Sequence, residues 1–297
     1  LQKIDMSETI SSKKSRGRQN DPQLPKKDHK EMSFWDHLRE LRSHIMKSLT
    51  AILLFAIIAF IYKDIIFNDI ILAPKSAQFI TNIWFCEFGK ILNIEFFCVP
   101  EFSLQLINIS MAGQFMTHMY ISFMFGLILS APYIIYQFWK FVEPALYEHE
   151  RRNTGITVLV SSSLFIGGIL FSYYLIVPLA LNFFGTYQVS ESVANQISLS
   201  SYISTVVSVT FSVGLVFEMP IVIFYLAKAG LVSIDFLKKN RKYTLVIVVI
   251  LAAIVTPPDV FSQILVAVPL MLLYESSIWM AQKALKKKAA ETDSIMS

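Results

Sequence analysis

The sequence predicts an all-α membrane protein of about six transmembrane helices, the last two short, with both termini on the cytoplasmic side. Three observations predict it. Hydrophobic residues make up 54% of the chain and charged residues only 16%, well below the roughly 25% usual in soluble domains. The apolar runs are continuous, without the alternation of a lipid-facing strand, so helices are expected rather than a barrel. Lys and Arg gather in alternate connections, which orients the chain.

Residues 1–31 are polar and basic, rich in Ser, Asn, Gln and Pro, and are expected to form a disordered tail. Leu1 opens the sequence and Met32 is a candidate internal start. The membrane domain is expected over 32–282, followed by a cytoplasmic tail, 283–297. No cleavable signal peptide is expected, because the first apolar run follows a long polar stretch and lacks a small-residue cleavage pattern. Leu38, Leu41 and Ile45 recur at helical spacing, so an amphipathic helix enters the first span, 45–62. Glu40 and Arg42 point in different directions on that helix. His37 and His44 share a face and, lacking a carboxylate or Cys partner, read as interfacial.

The first outer connection runs from about Lys63 to Gln114 and is unusually apolar (Ile83, Trp84, Phe85, Phe96, Phe97), which suggests packing at the lipid interface or over the bundle. Both cysteines, Cys86 and Cys98, fall in it, in a compartment that permits disulfides. A bond between them would stabilise the loop by about 2–3 kcal/mol; two free thiols are the alternative.

The second and third spans are expected over 116–138 and 156–181. Between them lie Glu143, Glu148 and Glu150, in a loop that Lys140, Arg151 and Arg152 place on the cytoplasmic side. Glu148 and Arg152 form an i, i+4 pair; Glu143 and Glu150 share a face. By themselves these carboxylates read as surface charges.

The fourth span, 201–227, contains Glu218 within Phe217-Glu218-Met219-Pro220. It lies about 15 Å along the helix from Lys228, near mid-bilayer. A charge there costs roughly 2.5–3.5 kcal/mol, so a functional role is the first hypothesis. Pro220 crowds the carbonyl of Val216 and kinks the helix. The structural alternative is a protonated Glu218 bonded to a freed carbonyl.

The fifth and sixth spans, 243–255 and 260–279, flank Thr256-Pro257-Pro258-Asp259. The fifth reaches only about 20 Å against a hydrocarbon core of about 30 Å. Asp259 is placed to cap the last helix, and Thr256 and Gln263 to bond a polar group on a partner helix. No nucleotide loop, metal-binding His-Glu helix or Gly-x-Ser-x-Gly pattern occurs, which argues against an enzyme, a cofactor or a metal site. Any energy input would come from the membrane potential, a proton gradient or a partner.

The stretches FWDHLRELR, LAP at 72–74, LILSAPYIIYQFWKFVEPALYEHERR, SSSLF, FSVGLVFEMP, LKKNRKY and TPPDVFSQ occur in that order. Over 32–282 the chain thereby resembles the TatC family, the multispanning core of the twin-arginine protein translocase. The resemblance implies a six-helix, cup-like bundle in the cell inner membrane and a receptor for the paired-arginine signals of folded exported proteins, driven by the proton-motive force. It implies a signal site made by Glu40 and Glu150 with Arg42 and Phe141. It also implies an intramembrane acid at Glu218, an outer-loop role for Pro74, and docking of TatA- and TatB-like single-span subunits near Thr256 and Gln263. An Arg guanidinium bonds carboxylate through a planar fork that Lys cannot match. The longer first outer loop, its cysteines and the basic tail depart from compact members of the family. The competing readings are a proton-coupled small-molecule transporter using Glu218, which predicts internal repeats not seen here, and a membrane scaffold without a signal site.

Overall fold

A computed structural model describes residues 34–92, 106–143, 154–187, 190, 196–255 and 260–296. The chain divides into two units, Leu1–Arg39 and Glu40–Ser297. In the first, the described residues are the opening turns of α1 (Phe34–Ile61). The second carries everything that follows.

After α1 come a π-helical stretch, Ile65–Ile71, a single 3-10 turn, Ala73–Lys75, and α2 (Ile80–Leu92). Strand β1 (Leu106–Ile107) leads into α3 (Gly113–Val142). Helix α4 (Thr154–Phe171) continues through a π-helical stretch, Ser172–Ile176, into α5 (Val177–Thr186). Strand β2 (Ile197–Ser198) precedes α6 (Leu199–Val216) and α7 (Met219–Lys228). Helices α8 (Ile234–Lys239), α9 (Arg241–Val255) and α10 (Val260–Met296) complete the chain.

Among the described residues, four helical runs are long and apolar enough to cross a membrane: His37–Ile61, Gly113–Val142, Gly155–Thr186 and Leu199–Lys228. They coincide with the first four expected spans. Helix α9 has 15 residues, about 22 Å of rise, and is short as expected. Helix α10 runs on to Met296, so the segment expected as the C-terminal tail, 283–297, is helical as far as that residue. Lys and Ala dominate that extension, and both favour helix.

The interruptions have local causes. Pro178 lacks an N–H and crowds the preceding turn, and the helix widens just before it: the Val177 N–H bonds to the Ser172 carbonyl, five residues back. Before Pro220 the next span breaks instead, into α6 and α7 at Phe217 and Glu218, where the Glu218 N–H reaches the Leu215 carbonyl, three residues back, at 3.1 Å. At the end of α7, Gly230 adopts φ 75°. The Leu231 N–H then reaches the Leu226 carbonyl at 3.0 Å, and that of Gly230 reaches Ala227 at 3.1 Å. These two bonds close the helix with a left-handed glycine cap.

One feature lies outside the all-α expectation. Leu106 and Ile107 pair in parallel with Ile197 and Ser198. Two connections pass side by side at the same end of the bundle, and the pairing satisfies backbone groups of both.

The core gathers around α6 and the α4–α5 junction, where Ile176, Val177, Tyr202, Ile203, Val206 and Val213 are fully buried. Ile66 and Ile71 of the first π-helical stretch and Ala252 and Val266 of α9 and α10 join it. Small residues permit the closest helix crossings. A Cβ on Gly168 of α4 would lie 2.9 Å from the Gly214 Cα of α6. A Cβ on Gly126 of α3 would lie 2.7 Å from the Ala56 backbone N of α1. This is the packing mode of helices in lipid, where close backbone approach replaces the hydrophobic drive.

The first part of the apolar first connection packs against the bundle, whereas Ile83 and Trp84 are exposed and Phe96 and Phe97 lie outside the described residues. Tyr173 and Tyr202 donate their hydroxyls to the carbonyls of Ile70 and Ile71, each at 2.8 Å. Those carbonyls end the π-helical stretch and need outside donors. Pro74 is buried in the 3-10 turn, and Asn82 of α2 donates to the carbonyls of Pro74 and Ser76 at 3.2 and 2.8 Å. Cys86 on α2 is held in a disulfide; Cys98 lies outside the described residues. The exposed side of α2 carries Ile80, Ile83, Trp84 and Ile91.

Candidate functional site

Two polar sites stand out against the apolar helices. The first lies where the start of α1 meets the end of α3. The antiparallel crossing is fixed at three levels. His44 meets Gln137, Ala56 meets Gly126, and the Phe60 ring stacks on His118 with centroids 4.1 Å apart.

At the Glu40 end, His44 is 7% exposed and its Nδ1 lies 2.6 Å from Gln137 Oε1. The amide oxygen only accepts, so Nδ1 carries the hydrogen and donates. Nε2 lies 4.0 Å from Glu40 Oε1. In the neutral ring it bears a lone pair there and offers Glu40 no hydrogen. The other carboxylate oxygen, Glu40 Oε2, is buried with no hydrogen-bond partner. An orphaned buried acceptor costs roughly 1–3 kcal/mol, and more when charged. Glu40 is therefore a carboxylate held ready for a donor that the described residues do not supply.

The Phe141 ring lies edge-on to His44, with centroids 6.3 Å apart. Beside it a pocket of about 270 Å³, almost wholly apolar, opens between Leu41, Ile45 and Leu49 of α1 and Ile134 and Phe138 of α3. The structure thus brings Glu40 and Phe141 to one place. Arg42 is exposed and, two residues on, lies on another side of α1. Glu148 and Glu150 lie outside the described residues; Glu143 is the half-buried cap residue of α3.

His44 and Gln137 were missed as members of this site. His44 read as interfacial because no carboxylate partner was recognised, yet Glu40 stands four residues before it on the same face. That i, i+4 spacing was the available signal. Gln137 had no signal beyond being a polar residue in an apolar run.

The second site surrounds Glu218. It caps the start of α7, directly after the break, and its carbonyl accepts from the N–H groups of Ile221 and Val222 at 3.1 and 3.3 Å. The Ser161 hydroxyl of α4 donates to Glu218 Oε2. Oε1 is buried with no partner. The carboxyl is thus bonded to a neighbouring helix and not to a carbonyl freed by Pro220, which replaces the structural alternative with a different one. One turn before Ser161, Thr157 pairs with the Tyr225 hydroxyl. Tyr225 in turn packs on Trp139 of α3, with centroids 4.4 Å apart. The close Gly168–Gly214 crossing brings α4 near enough for these bonds. Ser161 lies within a stretch that carried the resemblance but had no assigned role; its spacing from Thr157 marks a polar face on an apolar helix.

Of the expected docking positions, Gln263 donates its amide nitrogen to the Val249 carbonyl of α9 at 3.0 Å. Thr256 and Asp259 lie outside the described residues.

Comparison with known proteins agrees with the resemblance. Residues 36–269 match the family model of the Sec-independent protein translocase protein (TatC). The chain is 40% identical over 265 residues to a protein of that name from Blattabacterium sp. subsp. Periplaneta americana, spanning 89% of this chain and 100% of the relative. It is 35% identical over 248 residues to the TatC of Escherichia coli, spanning 83% and 86% of the two. A crystal structure described as the twin arginine translocase receptor TatC superposes with a TM-score of 0.65 at 37% identity, covering 84% of this chain and 99% of that one.

Proposed function

The chain belongs to the TatC family of Sec-independent protein translocase proteins, and from that premise we propose that it is the receptor and core subunit that binds twin-arginine signal peptides during export of folded proteins. The observation that carries this reading is the Glu40 carboxylate, half-buried, whose Oε2 has no donor among the described residues, beside an apolar pocket bordered by Phe141. A signal segment presents cations followed by apolar residues. A guanidinium supplies two parallel N–H donors to a carboxylate, and the apolar side chains after it find the pocket between α1 and α3. Glu150 is the second carboxylate of this assignment, and Arg42, exposed on another side of α1, is its proposed helper.

The Lys and Arg distribution supports a cell inner membrane protein with both termini and the Glu40 end cytoplasmic. Six spans follow if α9 and the first part of α10 both cross, the short α9 in a thinned bilayer. TatA- and TatB-like subunits dock along α9 and α10, meeting Thr256 and Gln263. Energy comes from the proton-motive force, with Glu218 as the intramembrane acid. Binding and assembly, not catalysis, are the functional events.

The test is crosslinking of a twin-Arg signal peptide to the purified complex, for wild type, Glu40→Gln and Glu150→Gln, and again with Lys-Lys replacing Arg-Arg. Each change lowers crosslinking on this reading; equal labelling throughout would reject it.

A further inference from the structure

At the other end of α1, about 30 Å of helix from Glu40, a cleft of about 950 Å³ opens between the turn after α1, the first π-helical stretch, β1 and the start of α3. Its volume is that of a small-molecule site. Lys63, Asp64 and Lys75 all line it. Across 62–112 the only cations are Lys63, Lys75 and Lys90, among Asp64, Asp69, Glu87, Glu95 and Glu101. Two of those three lysines reach one cleft, yet among the described residues no carboxylate pairs with either and no cation pairs with Asp64. Lys75 is half-buried at the rim of the cleft.

His118 adds a second acceptor. Its Nε2 lies 3.2 Å from the Phe60 carbonyl. A carbonyl only accepts, so Nε2 holds the hydrogen, and Nδ1 is left with its lone pair. Stacking on Phe60 fixes the ring. The remaining wall is apolar, built from Phe67, Leu72 and Ile121.

We propose that this cleft binds the headgroup of an aminophospholipid, phosphatidylethanolamine, independently of the signal site. Lys63 and Lys75 take the phosphate. Asp64 and His118 Nδ1 accept hydrogen bonds from the primary ammonium. The apolar wall receives the glycerol and the first acyl carbons. A cleft at the end of a membrane-spanning helix sits at headgroup depth, where lysines attract anionic lipid groups. A quaternary ammonium has no hydrogen to donate, so phosphatidylcholine fills the phosphate half of the site and not the ammonium half.

The test is native mass spectrometry of the delipidated full chain in detergent, titrated with phosphatidylethanolamine, phosphatidylcholine, diacylglycerol and water-soluble glycerophosphoethanolamine. Wild type retains phosphatidylethanolamine saturably and more tightly than phosphatidylcholine, and does not retain diacylglycerol. The K63Q/K75Q pair binds phosphatidylethanolamine about tenfold or more weakly, while K63R/K75R retains it. Asp64→Asn removes the preference over phosphatidylcholine without loss of phosphatidylcholine binding, a readout that holds if the double glutamine variant fails to fold. Equal phosphatidylethanolamine affinity in wild type and K63Q/K75Q overturns the site. An unchanged preference in Asp64→Asn overturns the ammonium half. Glycerophosphoethanolamine binding as tightly as the lipid overturns the lipid assignment in favour of a soluble phosphate ester.

Discussion

Ser161 of α4 donates its hydroxyl hydrogen to the Glu218 carboxyl, across a crossing made close by Gly168 and Gly214, and the second carboxyl oxygen stays buried without a donor. One oxygen of the mid-span acid is thus fixed and the other is available.

Ser161→Ala and Glu218→Gln separate structure from function at this pair. Ser161→Ala removes the donor and leaves both carboxyl oxygens unpaired, at a cost of roughly 1–3 kcal/mol. Glu218→Gln keeps an acceptor for Ser161 and abolishes the titrating group. The expected outcome is a lowered melting temperature in detergent for Ser161→Ala. Glu218→Gln should melt as wild type, bind signal peptide normally and export poorly. Full export by Glu218→Gln would make the acid structural.

His44 tests the state of Glu40. His44→Gln keeps a neutral donor for Gln137 and should retain crosslinking of a twin-Arg peptide. His44→Lys places a permanent cation beside Glu40, where it competes with the incoming guanidinium; crosslinking should fall about tenfold, the worth of roughly 1.4 kcal/mol. If the two variants bind alike, His44 does not govern the carboxylate.

Gly126→Ala should destabilise the α1–α3 crossing by about 1–3 kcal/mol, the usual penalty of overpacking. The added Cβ meets the Ala56 backbone N at 2.7 Å and Cα at 2.8 Å as well as its Cβ. Adding Ala56→Gly should therefore give little rescue. Thermal unfolding of the single and double variants checks this, and complete rescue would show that only the side chains clash.

Tyr202→Phe leaves the Ile71 carbonyl without its donor in a place where the ring is 1% exposed. A loss of roughly 1–3 kcal/mol is expected. Tyr173→Phe, at a half-buried ring, should cost less because water or headgroups can replace the hydroxyl. Melting temperatures of the two variants, measured side by side, decide the order.

Much of the fold was legible because lipid permits few solutions. An apolar run of sufficient length must be a helix, since its backbone groups have no other partners. The four long spans, the brevity of α9 and the break at Pro220 all follow from that rule. The first π-helical stretch and the β1–β2 pair did not, because they depend on which connections come to lie together. The helical course of α10 through 283–296 agrees with its Ala and Lys content.

The site was legible in part, and residue by residue. Glu40 and Phe141 stood in recognisable motifs, and the structure places both against His44. That Glu40 Oε2 lacks a donor, that His44 turns its hydrogen toward Gln137, and that Ser161 holds Glu218 are all matters of side-chain direction across residues far apart in the chain. Spacing along one helix carries no information about a neighbour 93 residues away, the separation of His44 and Gln137.

The sequence by itself determined the class, the long spans, their charge asymmetry and the family, because hydropathy, net charge and motif order are properties of segments taken singly. The tertiary structure decided what each polar group faces. Helix crossings at Gly126–Ala56 and Gly168–Gly214 set the distances over which hydrogen bonds form; among the described residues they leave Glu218 with one carboxyl oxygen bonded to Ser161 and one without a donor, and Glu40 with His44 4.0 Å from one oxygen and no donor at the other.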